Sequence, residues 1–156
     1  MNLMKPMLLC CSAGFLALVA PMAVSYGEGD PNQRIHALIE QLRSEPSLTT
    51  RYWLASDIAG IVRRTPDKTQ IRDETVDEIV DLLPHDDGPV VMWLAAALGQ
   101  FGQAAKRVVP ELEVALEREL IAEQALHTRT GPWPSDVICG ALRNIDGAKR
   151  SGCLTP

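Results

Sequence analysis

Apolar side chains recur at helical spacing between residues 89 and 116: Val90, Leu94, Leu98 and Phe101 fall three and four apart, with Ala95, Ala96 and Ala97 between them. A wide stripe of this kind predicts a buried helix whose small residues let neighbours come close. Gly99 and Gly102 loosen and stop that helix. Pro110, which has no amide to donate but suits a first helical turn, then opens a second one with Leu112, Leu116 and Leu120 on its inner face. The two are expected to lie antiparallel.

The same grammar extends in both directions. Asp30 is placed to cap a helix with Pro31 in its first turn and Ile35, Leu38, Ile39 and Leu42 on one face, running to about Arg43. Glu45, Pro46 and Ser47 break it, and Thr49 or Thr50 is expected to cap a second helix carrying Trp53, Leu54, Ile58, Ile61 and Val62, which stops before Thr65 and Pro66. From 67 to 83, Val76, Ile79, Val80 and Leu83 point inward while Asp73, Glu74, Asp77, Glu78 and Asp81 point to water, a solvated helix face rather than a metal cluster. After Pro84 to Gly88, Asp86 or Asp87 caps the central helix. The second central helix continues to about Leu126. The next segment, 128–134, holds two prolines and a glycine, so it reads as a loop, and it carries Trp133. A last helix is expected from a Ser135 cap to about Ile145, with Ile138, Leu142 and Ile145 inward and Asp146 and Gly147 at its end.

Sliding the chain on itself by 40 residues lays Trp53, Leu54 and Ala55 on Trp93, Leu94 and Ala95, with Ile58 on Leu98 and Ile61 on Phe101. A slide of 44 lays Ile138 on Leu94, Cys139 on Ala95, Leu142 on Leu98 and Ile145 on Phe101. Three copies at this period predict stacked helix pairs, because one pair cannot cover its own apolar face. The central unit resembles the HEAT-repeat family, of armadillo-like helical architecture, through Asp87, Pro89, Val90, Ala95, Ala97, Leu98, Gly99, Gly102, Ala105, Val109 and Pro110. The resemblance implies an all-α, HEAT-like right-handed α-solenoid of about three antiparallel helix pairs over residues 28–146, used for protein binding, with 147–156 as a tail. The family's usual arginine after the valine is Val91 here, while Arg51 stands at the matching place one copy earlier. The Asp to Arg ladder between repeats is therefore expected to be incomplete.

The first 25 residues are a different material: Lys5 is their only charge, 7–20 is an apolar run, and Pro21 precedes a tract of small residues. They read as a secretory signal peptide cleaved after Ser25 or Gly27. The competing reading is an uncleaved anchor, since residues 7–24 reach the short end of what spans a bilayer. Of the 15 Lys and Arg and 20 Asp and Glu in the 156 residues, removal of the signal takes one lysine, so the net charge moves from −5 to −6. An acidic exported domain argues against nucleic acid or an anionic membrane surface as partner and is compatible with a basic protein partner. The two cysteines beyond the signal, Cys139 and Cys153, suit one disulfide in a periplasmic or secreted setting. Closing such a loop, about 15 residues long, stabilises by roughly 3 kcal/mol. The bridge has a tension in it, because Cys139 aligns with the inward Ala95.

Little in the chain asks for chemistry. His36, His85 and His127 lie far apart, and capping accounts for the aspartates after His85, so neither a metal nor a cofactor is expected. No nucleophile elbow, phosphate loop, CxxC or HExxH occurs, so no catalytic residues are assigned. The expected function is a non-catalytic extracytoplasmic protein-binding module. An immunity-type inhibitor of a toxic enzyme is its specific form, and a cell-wall or glycan hydrolase with dispersed carboxylates is the alternative class. Trp133 is the expected partner-binding anchor with Arg129 beside it, since the stiff loop offers an aromatic and a charge that helix packing does not require. The competing role for Trp133 is a lid folded on the last repeat.

Overall fold

Local chemistry sets each helix boundary in the computed structural model, which describes residues 29–126, 133–147 and 153. Helix α1 (Pro31–Ser44) opens as expected, the Asp30 carboxylate accepting the Asn32 amide at 2.9 Å. Helix α2 (Leu48–Arg64) starts earlier than expected: Ser47, not Thr49 or Thr50, is the cap, its hydroxyl accepting the Thr50 amide at 3.4 Å. At the far end of α2 the Thr65 hydroxyl donates to Ile61 O at 3.0 Å, and the Lys68 ammonium donates to the carbonyls of Val62 and Thr65 at 2.5 Å each. Carbonyls that the helix cannot satisfy are thus met by donors, one of them cationic, at the negative end of the dipole.

The helix expected from 67 to 83 is shorter than its apolar pattern suggests. Asp67 accepts both the amide and the hydroxyl of Thr69, at 3.0 and 2.7 Å, which holds a 3-10 turn over Lys68–Gln70. Side-chain bonds of this sort compete with helix propagation. Asn32 completes the arrangement from α1: buried, it donates to Gln70 O at 2.8 Å and accepts from the Arg72 amide at 2.8 Å and the Thr75 hydroxyl at 2.9 Å. Helix α3 (Asp73–Val80) therefore begins only after this polar junction. Further 3-10 turns cover Leu83–His85 and Gly102–Val108, with helices α4 (Gly88–Gly99), α5 (Val109–Gln124) and α6 (Pro134–Asp146). Among the described residues there is no strand, so the protein is all-α, six helices packed against one another.

α4 is the middle of the packing, with α2 on one side and α6 on the other, while α1 lies against α2 and α3. Every residue of its expected stripe is buried, Val90, Leu94 and Leu98 completely. At roughly 1.5–3 kcal/mol per fully buried aliphatic side chain, this stripe is a principal source of stability. The contact between α4 and α5, expected as a pair, is slight. α5 packs chiefly on α6 and touches α4 only slightly, because the Gly102–Val108 segment, started by Gly102 at φ 52°, lies against α6 and leads α5 there.

The three aligned segments occupy α2, α4 and α6. Ile58, Leu98 and Leu142 are all fully buried at equivalent positions, as are Ala55 and Ala95. Cys139, at the third equivalent position, is buried and joined to Cys153, with the Cα atoms 5.6 Å apart. Trp53 departs from its expected stripe: it is 61% exposed, whereas Trp93 at the same register is half-buried against Tyr52 of α2. Among the described residues, α2 has no helix before it in that row to cover Trp53.

A candidate partner-binding surface

The starts of α2, α4 and α6 meet at one groove of about 500 Å³, where Leu48, Pro89 and Pro134 stand beside Trp133, and the last turns of α5 form the far wall. α5 contributes two pairs spaced by four, Glu119 with Glu123 and Ala122 with Leu126, a spacing that puts each pair on one helix face. The groove thus combines an apolar floor with carboxylates.

Those carboxylates serve structure first. Glu123 accepts from the Ser135 amide at 2.9 Å and its hydroxyl at 2.5 Å, so α5 provides acceptors for the first turn of α6. Ser135 is therefore not the cap expected of it. Trp133 precedes the helix as its N-cap, with its amide donating to Asp136 Oδ2 at 3.5 Å, and Ser135 is buried one residue inside. Glu119 is buried against the start of α4: a Cβ added to Gly88 would stand 2.5 Å from its Oε2, so a larger residue there would displace the carboxylate. Negative charge near the first turns of α4 and α6 also complements their dipoles. The Arg118 guanidinium donates to Glu119 at 2.9 and 3.1 Å and to Leu83 O at 2.8 Å, tying α5 to the segment that leads into α4.

Asp86 and Asp87 divide the work that the sequence assigned to either. Asp87 caps α4 through its backbone, without a side-chain capping bond, and is an exposed residue of the groove lining. Asp86 turns inward and pairs with Arg51 of α2, so Arg51, which stands at the ladder position of its copy, does find an aspartate, one residue before the expected one. Burial pushes the Asp86 carboxyl up from its ordinary value, an effect that the Arg51 charge offsets in part and neighbouring Asp87 reinforces.

Leu48 and Tyr52 are one turn apart on α2, as are Pro89 and Trp93 on α4, so the groove continues into an aromatic row. Tyr52 meets Trp53 edge-on at 5.2 Å and Trp93 at 5.9 Å. Of the three tryptophans of the chain, Trp133 lines the groove, and Trp53 and Trp93 flank Tyr52. Leu48 and Leu126, which line the groove, are 46% and 63% exposed.

Of the expected site residues, Trp133 is placed in the groove wall, half-buried, while Arg129 lies outside the described residues, as do His127 and the signal segment. No group of three metal-ligating side chains occurs among the described residues, and no helix there is long and apolar enough to cross a membrane. No known family model, curated protein or solved structure matches the chain. Leu48, Tyr52 and Leu126 were not expected in the site. Their one sequence signal is that they are large apolar residues off the helical stripes, two of them at helix ends.

Proposed function

We propose that this protein is a non-catalytic, extracytoplasmic protein-binding module, a HEAT-like right-handed solenoid of three helix pairs whose partner docks on the surface around Trp133. The single observation that carries the reading is a groove in which exposed Leu48 and Leu126 stand with the half-buried Trp133. Interfaces draw their energy from such anchors, and tryptophan and tyrosine are the residue types that dominate them. The solenoid reading is supported by the row of α2, α4 and α6 holding the three sequence copies in order. Export is supported by the apolar leader and by the Cys139 to Cys153 bridge. The specific form is an immunity-type inhibitor that holds a toxic enzyme in a bacterial periplasm.

The test is capture of a partner from the extracytoplasmic fraction by the immobilised mature protein, alongside its Trp133→Ala variant. A well-buried tryptophan anchor is worth about 2 kcal/mol, so affinity should fall roughly thirtyfold. The melting temperature should change little, since the ring is only half-covered. A drop of several degrees with unaltered capture would make Trp133 a lid and send the search for the binding surface elsewhere.

A further inference from the structure

We infer that the segment seated on this surface is a cationic amphipathic stretch of a protein partner: an aliphatic or aromatic side chain between Leu48, Leu126 and Trp133, and a lysine or arginine at Asp87. The inference rests on the docking surface proposed above and adds the chemistry of what docks.

Charge complementarity is the argument. Among the described residues, those that line the groove include three carboxylates, Asp87, Glu119 and Glu123, and no lysine, arginine or histidine. Glu119 and Glu123 are occupied, the first by Arg118 and the second by Ser135. Asp87 is exposed and makes no side-chain capping bond, so its charge is available at the rim. An acidic segment would bring like charge onto an apolar floor that screens poorly, whereas a cationic one would gain a partner there. The net charge of −6 beyond the signal adds long-range attraction of the same sign.

The other apolar cleft, about 320 Å³ and floored by Ile71, Val76 and Phe101, does not offer the mirror-image site. Two of its three cations are engaged, Arg107 by Asp73 and Asp77 at 3.1 Å each and Lys68 by two carbonyls, while Arg72 stands 3.8 Å from Asp30.

Calorimetric titration of the mature protein with three synthetic peptides of equal length tests this. One alternates leucine and lysine in an amphipathic helical pattern, the second replaces lysine by glutamate, and the third keeps lysine but replaces leucine by serine. The leucine–lysine peptide should bind at least about tenfold more tightly than either of the others. Asp87→Lys should weaken it about tenfold, while Glu117→Lys, an equal charge change at an exposed α5 position outside the groove lining, should change it less than about twofold. Leu126→Ser, at an exposed position, should weaken it without touching the melting temperature. Equal or tighter binding of the glutamate peptide, equal effects of the two charge reversals, or no binding by any peptide would overturn the cationic assignment. If the glutamate peptide binds and Leu126→Ser weakens it, the docking surface stands and only its charge preference falls. If Leu126→Ser and Trp133→Ala both leave every peptide unaffected, the docking surface falls as well.

Discussion

On its α6 side, α4 presents Gly99 to Ala141 so closely that a Cβ built on Gly99 would stand 2.9 Å from the Ala141 Cα. On its α2 side the junction carries the Arg51 to Asp86 pair and the Tyr52 to Trp93 ring contact, and it leaves the indole N–H of Trp93 buried with no acceptor among the described residues. At that point the first flank admits only backbone and a methyl group. The second is assembled from large side chains that cannot all be covered. That difference explains why the exposed aromatic surface spreads over α2 and the starts of the helices and not along the α4 to α6 seam.

Substitutions can break the two flanks separately. Leu98→Asp should have the largest effect because it faults the stripe shared by both: a fully buried position receives a carboxylate without a partner, and stability should fall by more than about 3 kcal/mol in urea unfolding. An unaltered melting temperature would mean that α4 is rotated from its described orientation. Gly99→Val comes next, confined to the α6 side. The added side chain meets backbone, which cannot yield as a flexible side chain would, and a loss of about 3 kcal/mol is expected.

On the α2 side, Arg51→Met leaves the Asp86 carboxylate buried without its cation and should cost about 2 kcal/mol near neutral pH, less than a fully buried pair because Arg51 is partly exposed. The pH dependence gives the sign. Asp86 is already raised by burial, so the stability that it permits below the ordinary carboxyl value is lost as pH rises through its folded-state value. Without Arg51 the carboxyl rises further, and the gap between variant and wild type should be small in acid and widen toward neutrality. A gap independent of pH would show that Arg51 acts by packing alone. Gly140→Ala, the smallest change, should stabilise by up to about 1 kcal/mol: this α6 glycine has nothing within 4 Å of an added Cβ, so helix propensity decides. Loss of stability there would place an unseen neighbour against α6.

The stripes Val90, Leu94, Leu98 and Ile138, Leu142, Ile145 were legible in the sequence, as were the Asp30 cap and the Gly147 stop, where φ is 73°. Each is a property of one helix and its own turns. The candidate site was legible only at Trp133, through the two prolines around it. Leu48 and Leu126 lie 78 positions apart in the chain and acquire meaning only by facing the same groove. Asn32 looked like one more polar residue in a first turn, yet it joins α1 to residues 70, 72 and 75.

The sequence by itself determined that the chain is helical, where most helices begin and end, and which face of each is apolar, because backbone hydrogen bonding and side-chain periodicity act over four residues. Tertiary structure alone decided that α5 packs chiefly on α6 and only slightly on α4, that Asp86 and not Asp87 meets Arg51, and that Trp53 is uncovered while Trp93 is half-covered. An apolar face specifies that it must be buried, but burial is non-directional. Which neighbour covers it is set by contacts between residues far apart in the chain, such as Gly99 against Ala141, where the fit of two backbones admits one arrangement.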